Sequence, residues 1–366
     1  MIRILQLPGS LSLKNGRMHV IMNIYRKIDK TKFQFDFLAT DMGDRSFEEE
    51  IRNLGGHIYT VPFEDRNNLI LLRKMIKYVL LNNNYDIVHY HATSQWAVTL
   101  YGLKNFNIKQ VIIHSHATTF SDSFIKSVRN GIMSLPIYIS GTKYVAATYE
   151  AGKALFYGKK FEVVSNSIDV DRFKYNPNDR KLIRAKLGLI QNAVVVGNVG
   201  RFSKQKNQLW LIDVFYEILK VTKNKDWYLL LIGQGELRDE ISTKVVELGI
   251  KKQVIILDTQ SEIERYYSAM DVFCFPSIYE GFGMAAIEAE ASGLPIVLSS
   301  VIPDAVKIKN VFELSLSDSL KKWSNKIIWA SKLRIARENG KKIVEEANMD
   351  DDSIVSKWEN MYIECK

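Results

Sequence analysis

Two carboxylates in the second half of the chain, Glu280 and Glu288, lie eight residues apart around a pair of glycines. The residues from Asp271 to Pro276 predict a short buried strand, and Met284 to Ala291 predicts a helix without an internal breaker. Glycines at a helix start leave backbone N–H groups open to an anion. The pattern therefore suits a phosphate with hydroxyl-binding carboxylates on either side. Glutamate near a helix start also offsets the helix dipole, so a purely structural role stays open at this point.

A pair of cations follows a second predicted strand. The apolar residues 193–199 lead into Gly200 and Arg201, and Lys206 follows just before another helical run. At the carboxyl end of a parallel strand, where open α/β sheets bind ligands, arginine offers phosphate a two-pronged fork and lysine a point charge. A solvated surface loop is the alternative. A third strand ends in a further glycine turn, Gly233-Gln234-Gly235, which is weak evidence by itself.

Together and in this order, these units resemble the retaining glycosyltransferases of family 4, which have the GT-B fold. The resemblance extends over nearly the whole chain. Its Glu-x7-Glu motif corresponds to Glu280 and Glu288, its diphosphate pair to Arg201 and Lys206, and its domain-joining motif to residues 166–169. Bacterial capsular and exopolysaccharide enzymes are the most similar subgroup, on the motifs Phe33-Gln34-Phe35-Asp36-Phe37, Tyr85-Asp86-Ile87-Val88-His89 and His114-Ser115-His116.

The resemblance implies a retaining, metal-independent hexosyltransferase. It would move a hexose or N-acetylhexosamine from a nucleotide-sugar, with uridine favoured as the base, to a glycan or polyprenyl-diphosphate-linked acceptor in bacterial surface polysaccharide synthesis. The donor is a substrate, so neither a cofactor nor a metal is expected. The residues expected to act on the reacting groups are Glu280, Arg201, Lys206 and His116, and those expected to bind the donor are Gly16, Gly200, Gly233, Gly235, Gly283, Met284, Ala285 and Glu288.

The first loop departs from the family pattern. Where Gly-Gly-x-Glu is usual, the chain has Asn15-Gly16-Arg17-Met18, so one glycine and the acid are missing. Glu290 also stands where glutamine is usual, and we expect the acceptor site to differ from that of relatives or the activity to be impaired. A non-catalytic partner subunit and a sugar-nucleotide epimerase of the same fold remain alternatives. No Gly-x-Gly-x-x-Gly follows the first predicted strand, which argues against a nicotinamide dehydrogenase.

Four histidines form two His-x-His pairs at predicted strand ends, His89 with His91 and His114 with His116. This spacing is compatible with a metal, but no cysteine or matched set of carboxylates accompanies it. We therefore predict that the histidines line the site through hydrogen bonds, and that no metal is bound. The resemblance places His116 beside the transferred sugar.

Alternating strand and helix patterns predict an α/β protein of two doubly wound, Rossmann-like domains with a cleft between them. The expected domains are an acceptor-side domain over 1–170, a nucleotide-sugar domain over 171–350 and a last helix over 351–366 that crosses back to the first. The polar stretch 169–179 is the predicted linker. Strands are predicted at 2–7, 33–39, 57–61, 86–90, 110–114, 143–147, 161–164, 193–199, 227–232, 253–257, 271–275, 295–299 and 311–314, with helices that include 16–28 and 94–105.

Charge is uneven along the 366 residues, whose formal net charge is +9. Residues 1–175 hold 23 Lys and Arg against 15 Asp and Glu, an excess of +8. No nucleic-acid module is present, so we predict no nucleic-acid partner. Basic helices predicted at 69–81 and 124–135 fit either solvated faces or docking on an anionic membrane. We expect a cytoplasmic protein, peripheral on the inner face of the plasma membrane if those helices dock, without a disulfide framework or a membrane-spanning segment.

Overall fold

The computed structural model describes residues 1–13, 15–43, 45–61, 68–91, 97–101, 103, 106–116, 124–190, 192–223 and 226–364. The chain divides into two compact units, which we call unit 1 (Met1–Ser167 with Asp351–Lys366) and unit 2 (Ile168–Asp350). The stretch predicted as a linker, residues 169–179, lies inside unit 2 and contains a short helix there.

Unit 1 is built on seven strands: β1 (Ile2–Ser10), β2 (Phe33–Asp41), β3 (Ile58–Thr60), β4 (Ile87–His91), β5 (Gln110–Ser115), β6 (Lys143–Ala146) and β7 (Glu162–Val163). Its helices are α1 (Gly16–Lys27), α2 (Glu48–Asn53), α3 (Leu69–Asn82), α4 (Phe124–Met133), α5 (Pro136–Ser140), α6 (Tyr149–Phe156) and the last helix of the chain, α15 (Asp351–Ile363). The strands pair in parallel in the order β3-β2-β1-β4-β5-β6-β7. Within the predicted helix 94–105 the structure has a 3₁₀ turn, Ala97–Leu100, and the neighbouring residues 94–96, 102, 104 and 105 lie outside the described part.

Apolar side chains cover both faces of this sheet, as buried parallel strands require. On one face, α1 and α15 pack together over β1 and β2, and Trp358 and Tyr362 of α15 are fully buried in that cluster. A buried carboxylate, Asp36 on β2, ties neighbouring segments together. It accepts hydrogen bonds from Arg3 at 2.8 Å and from the Tyr85 hydroxyl at 2.7 Å. Although burial alone would raise the pKa of Asp36, the hydrogen bonds from the backbone N–H of His57, from Tyr85 and from Arg3 hold it below its ordinary value.

Unit 2 has six strands: β8 (Val194–Val199), β9 (Trp227–Ile232), β10 (Val254–Leu257), β11 (Val272–Phe275), β12 (Ile296–Ser299) and β13 (Val311–Leu314). Its helices are α7 (Val170–Phe173), α8 (Pro177–Lys186), α9 (Gln208–Thr222), α10 (Arg238–Glu247), α11 (Ile263–Ala269), α12 (Met284–Ala291), α13 (Leu320–Ala330) and α14 (Gly340–Glu346). These strands are also parallel, in the order β10-β9-β8-β11-β12-β13. Helices α9 and α13 pack together over one face of the sheet.

Each sheet reverses its strand order once, between β1 and β4 in unit 1 and between β8 and β11 in unit 2. At such a point the loops that follow the two central strands run to opposite faces and leave a crevice at the carboxyl edge. Both sheets are doubly wound, as predicted. Each unit therefore has one place where its topology favours a ligand.

The surface of unit 1 combines apolar and basic side chains on α3. Leu72, Ile76, Val79 and Leu80 are buried, whereas Arg73, Lys74 and Lys77 are exposed beside Ile70, Tyr78 and Leu81. Arg66, a further basic residue just before this helix in the sequence, lies outside the described residues. Among the helices of the described ranges, none combines the length and the apolar character needed to cross a bilayer.

We predict that Trp358→Ala lowers the free energy of unfolding by about 3–5 kcal/mol, because it removes a fully buried side chain from the core of unit 1. Urea unfolding measures the loss. The control is Trp329→Ala in unit 2, where the side chain is 45% exposed and a much smaller change is expected. An equal loss in the two variants would contradict the importance of α15 for unit 1.

Candidate active site

In unit 2, the loop after β8 carries the predicted cations. Gly200 follows the strand, a 3₁₀ turn spans Lys204–Lys206, and Asn207 adopts the left-handed conformation that starts α9. The buried Gln208 side chain donates a hydrogen bond of 3.0 Å to the carbonyl of Arg201. These contacts fix the loop close to the carboxyl end of β8.

The turn between β11 and α12 carries Glu280 and the glycines. Gly283 has φ 105°, a left-handed conformation that favours glycine, and it caps α12 without a side-chain hydrogen bond. The N–H groups of Met284 and Ala285 in the first helical turn therefore remain available to an anion. The predicted start and end of this helix, residues 284 and 291, are those of the structure.

The two loops meet through an ion pair. The Nζ of Lys206 lies 2.6 Å from Oε1 of Glu280, and the side chains are only 17% and 7% exposed. Gln205 supports this contact through two hydrogen bonds. Its side-chain amide donates to the backbone carbonyl of Tyr279 at 3.0 Å, and its backbone carbonyl accepts from the N–H of Ile278 at 2.8 Å. Cation and carboxylate thus stand together at the point where the strand order of unit 2 reverses.

Arg201, the other predicted cation, is placed differently. Its guanidinium binds Glu236 at 3.0 Å, and the two side chains are 73% and 53% exposed. An exposed pair of this kind contributes little to stability and is easily exchanged for another anion. Glu236 is a contact that the sequence prediction did not include.

Glu288, the second carboxylate of the predicted motif, lies in α12. Its Oε2 accepts a hydrogen bond of 2.7 Å from the hydroxyl of Tyr267 on α11. Burial raises the pKa of Glu288, while the Tyr267 bond and the charges of Arg172 and Lys206 oppose that rise. Tyr267 belongs to no recognisable motif, and only the three-dimensional structure shows its contact with Glu288.

The glycines of the turns after β8 and β9 allow two backbones to lie very close together. A Cβ added at Gly233 would meet the carbonyl oxygen of Gly200, and one added at Gly235 would meet the carbonyl of Phe202. Gly200 and Gly233 also have positive φ values, 155° and 157°. Close packing of the two backbones therefore explains why glycine stands at these positions, and a ligand contact there stays a prediction.

In unit 1 the four histidines form one layer at the carboxyl ends of β4 and β5. His89 and His91 stack with their ring centroids 4.2 Å apart, and those of His114 and His116 are 4.0 Å apart. Trp358 of α15 packs against His89 and His114. The hydroxyl of Tyr362, also on α15, lies 2.9 Å from Nδ1 of His89. The predicted hydrogen-bonded lining is thus also a packing surface for α15.

Within this layer a short hydrogen-bonded chain begins at Gln6. Nε2 of His91 lies 2.8 Å from Oε1 of Gln6, and Nδ1 of His91 lies 2.9 Å from Nε2 of His116. Because the Gln6 oxygen accepts, His91 carries its proton on Nε2 and accepts from His116 through Nδ1. Sequence reasoning missed Gln6, which no motif identifies.

Burial keeps the histidine layer neutral. The pKa values of His89, His91 and His116 are lowered well below the ordinary value, and that of His114 is lowered to about 3. His89, His91 and His114 each have a ring nitrogen within 4.8 Å of the others', a set that could hold a metal. Both nitrogens of His91 are already engaged, so a metal there would have to displace Gln6 or His116. A metal-free site remains our prediction.

Glu290, one of the departures from the family pattern, is fully buried in unit 2. Its carboxyl accepts hydrogen bonds of 3.0 to 3.3 Å from the backbone and side chain of Asn310, and burial raises its pKa to about 7. A carboxyl that is often protonated can stand in for the amide of glutamine. Glu290 is bonded to Asn310 inside unit 2, so its contacts do not connect this departure with the acceptor site.

Several comparisons bear on the identity of the fold. Residues 179–346 match the family model described as glycosyl transferases group 1. The chain is 29% identical over 360 residues to the putative glycosyltransferase EpsF of Bacillus subtilis, covering 95% of this chain and 93% of that protein. It is 27% identical over 321 residues to the UDP-Gal:alpha-D-GlcNAc-diphosphoundecaprenol alpha-1,3-galactosyltransferase of Escherichia coli, covering 83% and 81% of the two chains.

A solved structure agrees with these matches. The Anabaena protein Alr3699/HepE, crystallised in complex with UDP, matches with a TM-score of 0.80 at 19% identity, over 98% of this chain and 99% of that chain. The predicted fold class is confirmed. Together, the findings support a glycosyltransferase with the GT-B fold.

We predict that the free energy of unfolding falls as the pH drops below about 6.5. The unfolded histidines then take up protons that the folded, buried ones refuse, and each contributes a slope of up to about 1.4 kcal/mol per pH unit. Urea unfolding at pH 7.5, 6.5 and 5.5 measures this dependence.

His114→Phe should reduce this slope by up to about 1.4 kcal/mol per pH unit, the contribution of one proton, because the folded pKa of His114 is about 3. Trp329→Ala in unit 2, which removes no histidine, is the control and should leave the slope as it is. A stability that is flat between pH 7.5 and 5.5 would contradict a buried neutral layer.

Proposed function

We propose that the protein is a retaining, metal-independent glycosyltransferase of family 4. It transfers a hexose or N-acetylhexosamine from a UDP-sugar to a glycan or polyprenyl-diphosphate-linked acceptor in the synthesis of a bacterial surface polysaccharide. The E. coli relative named above uses UDP-Gal and a diphosphoundecaprenol-linked acceptor, and the Anabaena structure contains UDP. Both names support a uridine nucleotide as part of the donor.

The observation that carries this proposal is the Lys206–Glu280 pair beside the open start of α12. A nucleotide-sugar presents a diphosphate next to a ring of hydroxyl groups, so its site needs fixed positive charge and a hydrogen-bond acceptor a few ångströms apart. The pair supplies both, at 2.6 Å from each other and at the topological reversal of unit 2. Bound diphosphate would share Lys206 with Glu280 and would take the N–H groups of Met284 and Ala285.

The proposed reaction breaks the bond between the anomeric carbon and the diphosphate oxygen. A bond from the acceptor oxygen forms on the same face of the sugar, and the acceptor proton passes to the departing phosphate. Negative charge grows on the leaving group, so preorganised cations and N–H donors lower the barrier. Lys206 and Arg201 supply the charge, Glu280 binds sugar hydroxyls, and Glu288 binds the ribose. No protein nucleophile is needed.

Unit 1 is the proposed acceptor side. His116 would lie beside the transferred sugar and Gly16 would bring backbone close to a phosphate, since Gly16 is exposed at the start of α1 and a Cβ added there would meet nothing within 4 Å. Membrane association fits a lipid-linked acceptor. The exposed apolar side chains Ile132, Leu135 and Ile139 of the α4–α5 region add to the basic and apolar face of α3. We propose that the protein is peripheral on the inner face of the plasma membrane.

The experiment that tests the function is product analysis with the purified chain. A thermal-shift panel of nucleotide-sugars first identifies the donor, because a ligand at 100 times its dissociation constant stabilises by about 2.7 kcal/mol. Donor hydrolysis or transfer by the chain alone would contradict a non-catalytic subunit. Release of an epimerised nucleotide-sugar or free sugar epimer without any acceptor would identify the epimerase instead.

For the diphosphate site, we predict that Lys206→Gln and Arg201→Gln each lower turnover by about 10² or more, the scale of one lost oxyanion donor. Their effects on stability should differ. Lys206→Gln leaves Glu280 buried without its cation and should destabilise the protein, whereas Arg201→Gln removes only an exposed pair.

The double variant Lys206→Gln/Glu280→Gln separates stability from activity. It should regain much of the lost stability, because the carboxylate that Lys206 neutralised is removed as well, while turnover stays low. Lys220→Gln is the matched control, since Lys220 also pairs with a glutamate, Glu217, at 2.7 Å but on the exposed surface of α9. Full turnover in both Lys206→Gln and Arg201→Gln would refute the diphosphate assignment.

For the membrane, we predict sedimentation with anionic vesicles, none with neutral ones, and release by high salt. Each basic residue near an anionic surface contributes about 1 kcal/mol, screened by salt. Changing Arg73, Lys74 and Lys77 together to glutamate should abolish binding and leave donor binding intact. The control changes Lys153, Lys159 and Lys160, exposed elsewhere in unit 1, by the same charge. Equal loss in the two triple variants would favour a nonspecific effect of net charge, and no loss in the first would favour a solvated face.

A further inference from the structure

A buried tyrosine that the proposed reaction does not use lies beside the second carboxylate of unit 2. Tyr267 stands near the end of α11, and its side chain is fully buried. Its hydroxyl donates a hydrogen bond of 2.7 Å to Oε2 of Glu288, in the middle of α12. A second acceptor, the carbonyl of Ala285, lies at 3.5 Å, where a hydrogen bond is weak. Glu288 is therefore the partner that satisfies the buried hydroxyl.

Three neighbours hold Tyr267 in place. Its ring packs against those of Phe173 on α7 and Phe273 on β11, with centroid distances of 5.9 and 5.6 Å. Its backbone carbonyl accepts a hydrogen bond of 3.0 Å from the guanidinium of Arg337. A side chain locked by packing presents its hydroxyl at a fixed point, and a flexible carboxylate that bonds to this point is oriented by it. Tyr267 therefore determines the direction in which Glu288 points.

The bond to Tyr267 leaves the other oxygen of Glu288 unused. Among the described residues, no donor bonds to Oε1, and this atom is not one of the unpartnered polar atoms that are sealed from solvent. The side chain is half-buried, so a ligand can reach Oε1 from solvent. The Arg26–Glu50 pair of unit 1 shows the contrast, because that guanidinium binds both carboxylate oxygens, at 2.6 and 3.0 Å. A tyrosine fixes a carboxylate through one oxygen and leaves the other for a ligand.

The charges that act on Glu288 come from three parts of unit 2. Arg172 of α7 and Lys206 of the loop after β8 favour its ionised form, whereas Glu264 of α11 opposes it. Arg172 and Glu264 are themselves paired at 2.9 Å, so their effects partly offset each other. Burial raises the pKa of Glu288, and the bond from Tyr267 is the largest effect that opposes this rise. Burial also raises the pKa of Tyr267 well above its ordinary value, so its hydroxyl stays protonated and remains a donor.

We propose that Tyr267 is a positioning residue, which orients Glu288 so that Oε1 accepts hydrogen bonds from the vicinal hydroxyl groups of a ribose. This inference rests on the proposed function, in which Glu288 binds the ribose of the donor. A site built to bond a hydroxyl group discriminates strongly against the analogue that lacks it. Without touching the substrate, Tyr267 therefore contributes to the selection of ribonucleotide-sugars over deoxyribonucleotide-sugars.

Calorimetry with nucleotides that differ only at the ribose tests the role of Tyr267. UDP, ADP and GDP are each compared with their 2′-deoxy and 3′-deoxy forms, so that the identity of the base does not decide the outcome. The unchanged chain should bind at least one ribonucleotide about tenfold or more tightly than its deoxy forms, the scale of one hydrogen bond to a charged group. Tyr267→Phe removes only the hydroxyl and should reduce this ratio at least about threefold, because Glu288 then loses its fixed orientation.

Tyr266→Phe is the matched control. Tyr266 precedes Tyr267 on α11 and is also buried, but its hydroxyl donates to Gln260 at 2.9 Å and accepts from Lys186 at 3.2 Å. This variant should keep the ratio of the unchanged chain. A loss of packing alone in Tyr267→Phe would weaken the binding of a ribonucleotide and of its deoxy forms alike, so the ratio separates the orientation of Glu288 from a structural effect.

Two further measurements test whether Tyr267 acts through Glu288. In a double-mutant cycle, Tyr267→Phe/Glu288→Gln should bind the ribonucleotide no more weakly than Glu288→Gln alone. The second measurement is the affinity for the ribonucleotide between pH 8 and 5. Because the Tyr267 bond helps to keep Glu288 ionised, this affinity should begin to fall at a higher pH in Tyr267→Phe than in the unchanged chain, whereas Tyr266→Phe should keep the original profile.

The outcomes distinguish this inference from the proposed function. An unchanged ratio in Tyr267→Phe, or additive losses in the cycle, would overturn the positioning role while the proposed function stands. An equal reduction of the ratio in Tyr266→Phe would overturn it as well. If the unchanged chain binds the nucleotides without any preference for the ribose form, the roles of Glu288 and Tyr267 both fail. If it binds none of these nucleotides, the proposed function fails together with this inference.

Discussion

Every candidate site in this protein depends on one constraint, the reversal of strand order in a parallel sheet. Parallel strands need crossover helices, and a sheet that grows outward in both directions from its centre sends two consecutive crossovers to opposite faces. At β8 and β11 this brings Lys206 to Glu280, and at β1 and β4 it brings Arg17 to His91. The residues that bear the chemistry are far apart in sequence and meet because the topology leaves their loops side by side.

The two reversals differ in their electrostatics. In unit 2 the cation Lys206 is neutralised by Glu280, and Arg201 by Glu236, so the site is balanced before any ligand binds. In unit 1 the guanidinium of Arg17 donates to the backbone carbonyl of His91, whose ring burial keeps neutral, and the described residues supply it no carboxylate. A balanced site exchanges one anion for another, whereas an unbalanced one gains a counter-charge. An unbalanced buried charge lowers the stability of the protein without ligand and strengthens the binding of an ion of opposite charge.

The sequence was informative where local pattern decides the structure. Alternating apolar runs located the strands of both sheets, and the helix at 284–291 has the predicted ends, because a glycine start and an unbroken apolar run act within a few residues. The family motifs identified Lys206 and Glu280 separately. Their contact was not predictable, since it requires the non-local pairing of β8 with β11.

Other features arise only from tertiary packing. Gln6 and Tyr267 have no motif around them, and their contacts with His91 and Glu288 depend on neighbours from distant parts of the chain. The helix predicted at 94–105 has a 3₁₀ turn in its described part, which shows how weakly local propensity determines short connecting segments. The first loop was visible in the sequence as a departure from a motif at Asn15 and Met18, but only the structure shows the hydrogen bond from Arg17 to the carbonyl of His91.

The discontinuity of unit 1 has a consequence for how the chain is made. Helix α15 fills the core of unit 1 with Trp358 and Tyr362, yet the whole of unit 2 is synthesised between Ser167 and that helix. A ribosome that has finished unit 1's sheet must still produce all of Ile168–Asp350 before the last core side chains exist. Unit 2 can fold while it is synthesised. Until α15 is made, however, unit 1 leaves exposed the apolar face and the histidine layer on which α15 packs. A stop codon shortly before α15 would therefore leave a complete unit 2 attached to a unit 1 whose core lacks Trp358 and Tyr362.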